Sequence, residues 1–199
     1  MIENPLAQKL RNHRLILASA SPRRQMFLKE LGLTFKIKLK EVEENYPTNL
    51  KGAEISAYLS KLKADAFIDE LKPNDILLTA DTVVWHNGTS LAKASSVEKA
   101  REMLGLLSKE WHEVITSITF STTMGQKTFS EVTKVKFKEL SKSEIDFYIE
   151  TFRPFDKAGA YGIQEWIGLT AIETIQGSYT NVVGLPTHLV YKTLMDMVN

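Results

Sequence analysis

The chain has 199 residues, 43% of them hydrophobic and 25% charged, with a formal net charge of +1. That is enough apolar material for one core-bearing unit, and the residues are read as a single domain over 1–199. The near balance of charge argues against the broad basic field of a nucleic-acid-polymer binder. There is no cysteine, so disulfides and thiolate metal sites are excluded.

His13, His86, His112 and His188 are scattered, and no two have helical metal-ligand spacing. No segment approaches the roughly 20 apolar residues of a membrane span, and the run Leu15-Ile16-Leu17-Ala18 is shorter than a signal-peptide core. A cytoplasmic enzyme is the expectation.

Residues 14–19 read as a buried strand. Ser21 then caps a helix that has Pro22 at its first position and stops near Gly32. Residues 34–39 alternate as a half-exposed strand, and 40–52 read as a polar loop. Ile55, Leu59, Leu62 and Ala66 fall at helical spacing and predict a helix over 53–71. Ile76 to Ala80 reads as a strand ending at Asp81, followed by a hairpin turn at Asn87-Gly88. Ser95 to Glu98 has the form of a capping box and opens a helix to about Leu107. Residues 111–138, broken at Met124-Gly125, predict two antiparallel strands. A second capping box, Ser141 to Glu144, starts a helix ending before Pro154. Residues 156–185 read as loops and short strands, and Pro186 opens the last helix. The whole is mixed α/β.

Five places could carry chemistry. In Ser19-Ala20-Ser21-Pro22-Arg23-Arg24, hydroxyls, guanidiniums and free helix amides meet at one strand-to-helix turn, which suits phosphate. A solvated helix start explains the same pattern. Asp81 at a strand end suits a metal or a water, and the commoner reading of such a residue is a turn or capping Asp. Glu41-Val42-Glu43-Glu44 offers hard oxygens for Mg²⁺, though most acidic loops are merely solvated. Lys63 flanks the apolar face of its helix and either reaches an anion or snorkels, and Lys93 after the hairpin has the same two readings. Asp156 to Gln164, with Gly177-Ser178-Tyr179 and Asn181 to Pro186, either lets backbone approach a ligand or forms a tight structural loop. Gln164 could read a base edge with its donor and acceptor. A Walker loop and a Gly-x-Ser-x-Gly elbow are both absent.

Taken in order, Ser19 to Arg24, Ala80-Asp81-Thr82-Val83-Val84, Asp156 to Gln164, Gly177-Ser178-Tyr179 and Val183-Gly184-Leu185-Pro186 closely resemble the Maf family of nucleotide pyrophosphatases. The resemblance implies an architecture like that of inosine triphosphate pyrophosphatase: a strongly twisted mixed sheet flanked by helices, with two lobes around a cleft. It implies hydrolysis of a nucleoside triphosphate between the α and β phosphates, with Mg²⁺ or Mn²⁺, in a protein that is often a homodimer.

By position, Asp81, Lys63, Lys93 and Glu44 match the family's catalytic residues, with Asp81 and Glu44 on the metal. Ser19, Arg23, Arg24, Thr82 and Gln164 match its substrate-binding residues. Arg23, Thr82 and Gln164 fit the branch that prefers dTTP and UTP rather than the 7-methyl-GTP branch, and the retention of both Asp81 and Glu44 favours an enzyme over a nucleotide-binding regulator of septum formation with little turnover. Two departures stand out. Lys93-Ala94 replaces the usual Lys-Pro, and Glu165-Trp166-Ile167-Gly168 follows Gln164 where the family often has Gly.

Overall fold

The computed structural model describes residues 3–198; the outermost residues of the expected 1–199 unit lie outside them. In chain order the elements are α1 (Pro5–Lys9), β1 (Arg14–Leu17), α2 (Pro22–Glu30), β2 (Lys36–Ile37), α3 (Ala53–Asp65), β3 (Asp75–His86) and β4 (Thr89–Leu91). There follow α4 (Val97–Leu107), β5 (Trp111–Thr122), β6 (Gly125–Phe137), α5 (Lys142–Phe152), α6 (Trp166–Thr170), β7 (Ile172–Gln176), α7 (Tyr179–Val183) and α8 (Thr187–Met197). The strands form one seven-stranded mixed sheet in the order β2-β1-β3-β5-β6-β7, with β4 added to β3. β1 runs parallel to β2 and β3, and the remaining pairs are antiparallel.

Most expected elements are present, and the differences have local causes. The strand expected over 34–39 shrinks to Lys36–Ile37, both exposed, because only β1 supports it. The helix expected over 53–71 ends at Asp65. The Phe67 amide bonds back to the Ala64 carbonyl, tightening the chain, and the Phe67 ring packs with Ile16 and Leu77. Ser96, not Ser95, caps α4 by accepting from the Lys99 amide. Ser21 sits at the cap position of α2 but makes no capping bond with its side chain. The stretch 156–185 holds two short helices, α6 and α7, besides the strand β7. The capping box of Ser141 and Glu144 is complete.

The largest difference concerns Asp81. It lies in the middle of a 12-residue strand, not at its end. The β-branched residues Thr82, Val83 and Val84 carry β3 onward against β5. Yet β1 pairs with β3 only as far as Leu17↔Leu78, and β4 begins only at Val84↔Leu91. Between them, 79–83 form an open edge within the sheet. Asp81 therefore lies just beyond the end of its parallel neighbour, where ligands collect in α/β sheets.

The period of two puts Asp81 and Thr82 on opposite faces of β3. On the Thr82 face there are two apolar clusters. The first joins Leu28 of α2, Leu78, Ala80, Ile118, Leu185 and Leu194 of α8. The second joins Val84, Leu104 of α4, Val114, Phe137 and Tyr148 of α5. Thr82 stands between Ala80 and Val84 on β3, and Thr116 between Val114 and Ile118 on β5, so a polar belt crosses the sheet between the clusters.

On the other face α3 meets the sheet through Ile55 and Leu59, packed on Val83, and through hydroxyls. Ser56 pairs with Ser117 at 2.7 Å, and Ser60 with Thr119 at 2.8 Å. Ser56, Ser60 and Lys63 are spaced i, i+4, i+7 and share one helix face. Docking that face on β5 aims Lys63 at Asp81.

Candidate active site

The open edge of β3 is the floor of a cleft of about 390 Å³. Arg23, Arg24, Glu44, Lys63, Asp81, Thr82, Lys93 and Gln164 all line it. Sequence positions more than 140 apart thus meet at one place. Ser19 alone of the expected residues lies beneath the lining, buried behind Arg24.

Asp81 is 6% exposed, and Lys63 donates to its Oδ1 at 2.6 Å. The same ammonium lies 3.0 Å from Glu44 Oε1. Burial works to raise the Glu44 pKa, but Lys63, Lys93 and Arg24 outweigh it and hold the carboxyl below its usual range. Two carboxylates thus converge on one point. Among the described residues no three His, Asp or Glu side chains gather as a ready metal cage. The donor set is therefore two hard oxygen ligands, which fits Mg²⁺ held by one or two carboxylates plus substrate phosphates.

Arg24 reaches the cleft from the other side. Its Nε donates to the Gly184 carbonyl at 2.9 Å, Nη1 to the Ala80 carbonyl at 2.9 Å and to Ser19 Oγ at 3.3 Å, and Nη2 to Thr82 Oγ at 3.2 Å. Four of its five N–H groups are therefore spent on the protein. The Ala80 carbonyl lies on the open edge of β3, so Arg24 stands there where a strand would. Burial lowers its pKa, opposed by Asp81 and Glu44; a guanidinium stays charged nonetheless. Ser19 Oγ also accepts from the Ser21 amide at 3.2 Å. These bonds give Ser19 and Arg24 a holding role, tying α2, β3 and the end of α7 together, while Arg24 also lines the cleft.

Thr82 is similarly committed. Thr116 gives its one hydroxyl proton to the Asn181 carbonyl, so Thr82 must donate to Thr116 while accepting from Arg24. Toward a ligand it offers one lone pair.

Arg23 is the freer guanidinium, paired at 3.2 Å with the exposed carboxylate of Asp156. Gln164 is exposed at the cleft, with no hydrogen-bond partner among the described residues. The segment bearing it docks on β4: Gly159 donates to the Leu91 carbonyl, and Ala158 bridges Lys93. Gly159 has φ +68°, and a Cβ there would lie 3.0 Å from Val84. Only glycine fits both demands.

Sequence reasoning missed the charged wall beside Gln164. Lys157 pairs with Asp156 at 2.7 Å and with Glu165 at 2.9 Å. Buried Tyr148 donates to Glu165 and accepts from the Gly162 amide. Burial, then Glu165, pushes the Tyr148 pKa up, so it stays a donor. The departure Glu165 to Gly168 is thereby built in: a Cβ at Gly168 would meet the Ile163 carbonyl at 1.8 Å. The alternating charges at 156, 157 and 165 were the available signal.

Tyr161 closes the cleft floor. Its hydroxyl lies 2.8 Å from His112 Nε2, and His112 is only 2% exposed. Burial, with a smaller push from His86, pulls the His112 pKa from its ordinary 6.5 to about 3. Above 6.5 both folded and unfolded chains carry a neutral imidazole. Below it only the unfolded chain gains the proton, so stability falls from pH 6.5 down to about 3. Between pH 7 and 5 this amounts to about 2 kcal/mol. Urea unfolding at both pH values should show that loss in the wild type and a smaller one in His112→Phe. Equal losses would mean that His112 titrates in the folded protein.

Carboxylates gathered on an ammonium, with further cations around an open strand edge, define an α/β protein built to take a phosphorylated ligand. The chain belongs to the Maf-like protein family, whose model matches residues 14–197. It is 52% identical over 193 residues to the dTTP/UTP pyrophosphatase of Flavobacterium johnsoniae, spanning 97% of this chain and all of that one. It is 49% identical to the dTTP/UTP pyrophosphatase of Christiangramia forsetii, over 98% and 99% of the two chains. The corresponding protein of Phocaeicola vulgatus is 45% identical, over 96% and 100%. Among solved structures, the Staphylococcus aureus Ham1 protein shares the fold, with a TM-score of 0.52 over 92% of this chain and 99% of that one at 17% identity. The mixed, helix-flanked sheet expected from the resemblance is the one found.

Proposed function

We propose that this chain hydrolyses dTTP and UTP to the monophosphate and pyrophosphate. The observation that carries the reading is the convergence of buried Asp81 and half-exposed Glu44 on Lys63, in a cleft that also holds Arg23 and Lys93. Relatives of 45–52% identity named as dTTP/UTP pyrophosphatases support the substrate class. Glu44 and Asp81 would hold Mg²⁺ or Mn²⁺, which when bound supplies charge neutralisation across the phosphates. Asp81 orients the attacking water and takes its proton. Lys63 and Lys93 balance charge that develops on the leaving pyrophosphate. Arg23 meets phosphate in exchange for Asp156, and Gln164 presents an amide to the O4 and N3–H edge of a pyrimidine.

A homodimer in the cytoplasm belongs to the same proposal. Among the described residues, no helix is long and apolar enough to cross a membrane.

Pyrophosphate release from dTTP, UTP, CTP, GTP, 7-methyl-GTP and ITP with Mg²⁺ tests the reading. Fast release from dTTP and UTP is expected. A preference for 7-methyl-GTP would overturn the role of Gln164, and release from none of them would overturn the enzyme.

A further inference from the structure

Lys63 already occupies the point at which the two carboxylates converge. Its ammonium is within hydrogen-bond distance of both, 2.6 Å from Asp81 and 3.0 Å from Glu44. Its side chain is 18% exposed, whereas that of Glu44 is 47% exposed. The three groups have unequal freedom. Asp81 is fixed in mid-strand, and Lys63 rides on a helix pinned by the Ser56 and Ser60 hydroxyls. Glu44 lies in a segment without regular secondary structure.

Among the described residues, a divalent ion entering alone would find these two carboxylates and no third, both already bonded to a cation. It would have to expel a tethered ammonium from a dry carboxylate with nothing else to receive it. A nucleotide alters both conditions. Its phosphates carry the ion in with them and offer the displaced ammonium a new partner.

On the reading proposed above, we infer that Lys63 is a built-in counter-cation that closes the Asp81–Glu44 pair to free metal. It yields the pair only to a metal–nucleotide complex, so metal loading is coupled to substrate binding. Lys63 thus acts twice, first as a stand-in for the ion and then as a phosphate partner.

The test is Mn²⁺ binding to nucleotide-free protein, read from the paramagnetic signal of the free ion. Lys63→Met and Lys63→Gln should bind Mn²⁺ at least about tenfold more tightly than the wild type. Adding Asp81→Asn to Lys63→Met should abolish the gain. Lys63→Arg, which keeps the cation, should stay near the wild type. Mn²⁺ should raise the melting temperature of Lys63→Met more than that of the wild type, which also reports that the variant is folded. In the wild type, a non-hydrolysable α,β-methylene analogue of dTTP should bring Mn²⁺ in.

Equal Mn²⁺ affinity in the wild type and both neutral variants would overturn the inference. Weaker affinity in the variants would overturn it too, because Lys63 would then support the metal. No turnover enters these readings. If the wild type releases pyrophosphate while the variants bind Mn²⁺ no better, the inference alone fails. If it releases none, the proposed function fails first.

Discussion

Asp81→Asn should lower pyrophosphate release about a thousandfold while leaving the protein folded and able to bind nucleotide. The magnitude is that of removing a positioned base together with a metal ligand. The physical case rests on placement. Asp81 is nearly buried on the open edge of β3, and Lys63 is the cation bonded to it. Asparagine keeps the shape and one acceptor oxygen but cannot take a proton. It also leaves the Lys63 ammonium with Glu44 as its sole carboxylate. Turnover measured at saturating Mg²⁺ separates the two losses. A variant rescued to near-normal rate by more metal would show that Asp81 only holds the ion. A near-normal rate without extra metal would remove it from the chemistry altogether.

Arg24→Ala should act mainly on stability, costing about 3 kcal/mol, or roughly 6–12 °C in melting temperature for a chain of this size. The guanidinium satisfies the carbonyls of Ala80 and Gly184 and the hydroxyls of Ser19 and Thr82. Losing it leaves acceptors on β3 and at the end of α7 without a donor, and Ser19 Oγ with the Ser21 amide alone. Arg24→Lys should recover only part of the loss, because an ammonium cannot reproduce a planar fork that spans these four sites. Melting and KM measured on the same preparations decide the matter. A rise in KM with an unchanged melting temperature would return Arg24 to the role of direct phosphate ligand.

How far the sequence carried depends on how local each signal was. The hairpin of β5 and β6 was legible because β-branched residues flank one turn. The start of α5 was legible because Ser141 and Glu144 satisfy each other. The expected site residues were picked through the order of the motifs, and all but Ser19 line one cleft.

Three features were not legible. Asp81 was read as a strand end, since nothing in the sequence shows where β1 will stop pairing with β3. The stripe Ser56, Ser60, Lys63 was hidden because a helix is normally read by its apolar face; Ile55 and Leu59 do pack on Val83, and the hydroxyls dock beside them on β5. The Lys157–Glu165–Tyr148 network joins α5, the cap of α6 and the loop between them, and acquires meaning only when they meet.

The belt between the two apolar clusters limits how this chain can drift. Along Arg24, Thr82, Thr116 and the Asn181 carbonyl, each hydroxyl passes its single proton in the same direction. A change of Thr116 to valine, nearly equal in volume, would strand the Thr82 proton and leave the Asn181 carbonyl with the Gly184 amide alone. Neighbouring members must therefore change in concert or not at all. A lineage can exchange aliphatic residues on either side of the belt one at a time, but it can rewrite the belt itself only by passing through a less stable ancestor.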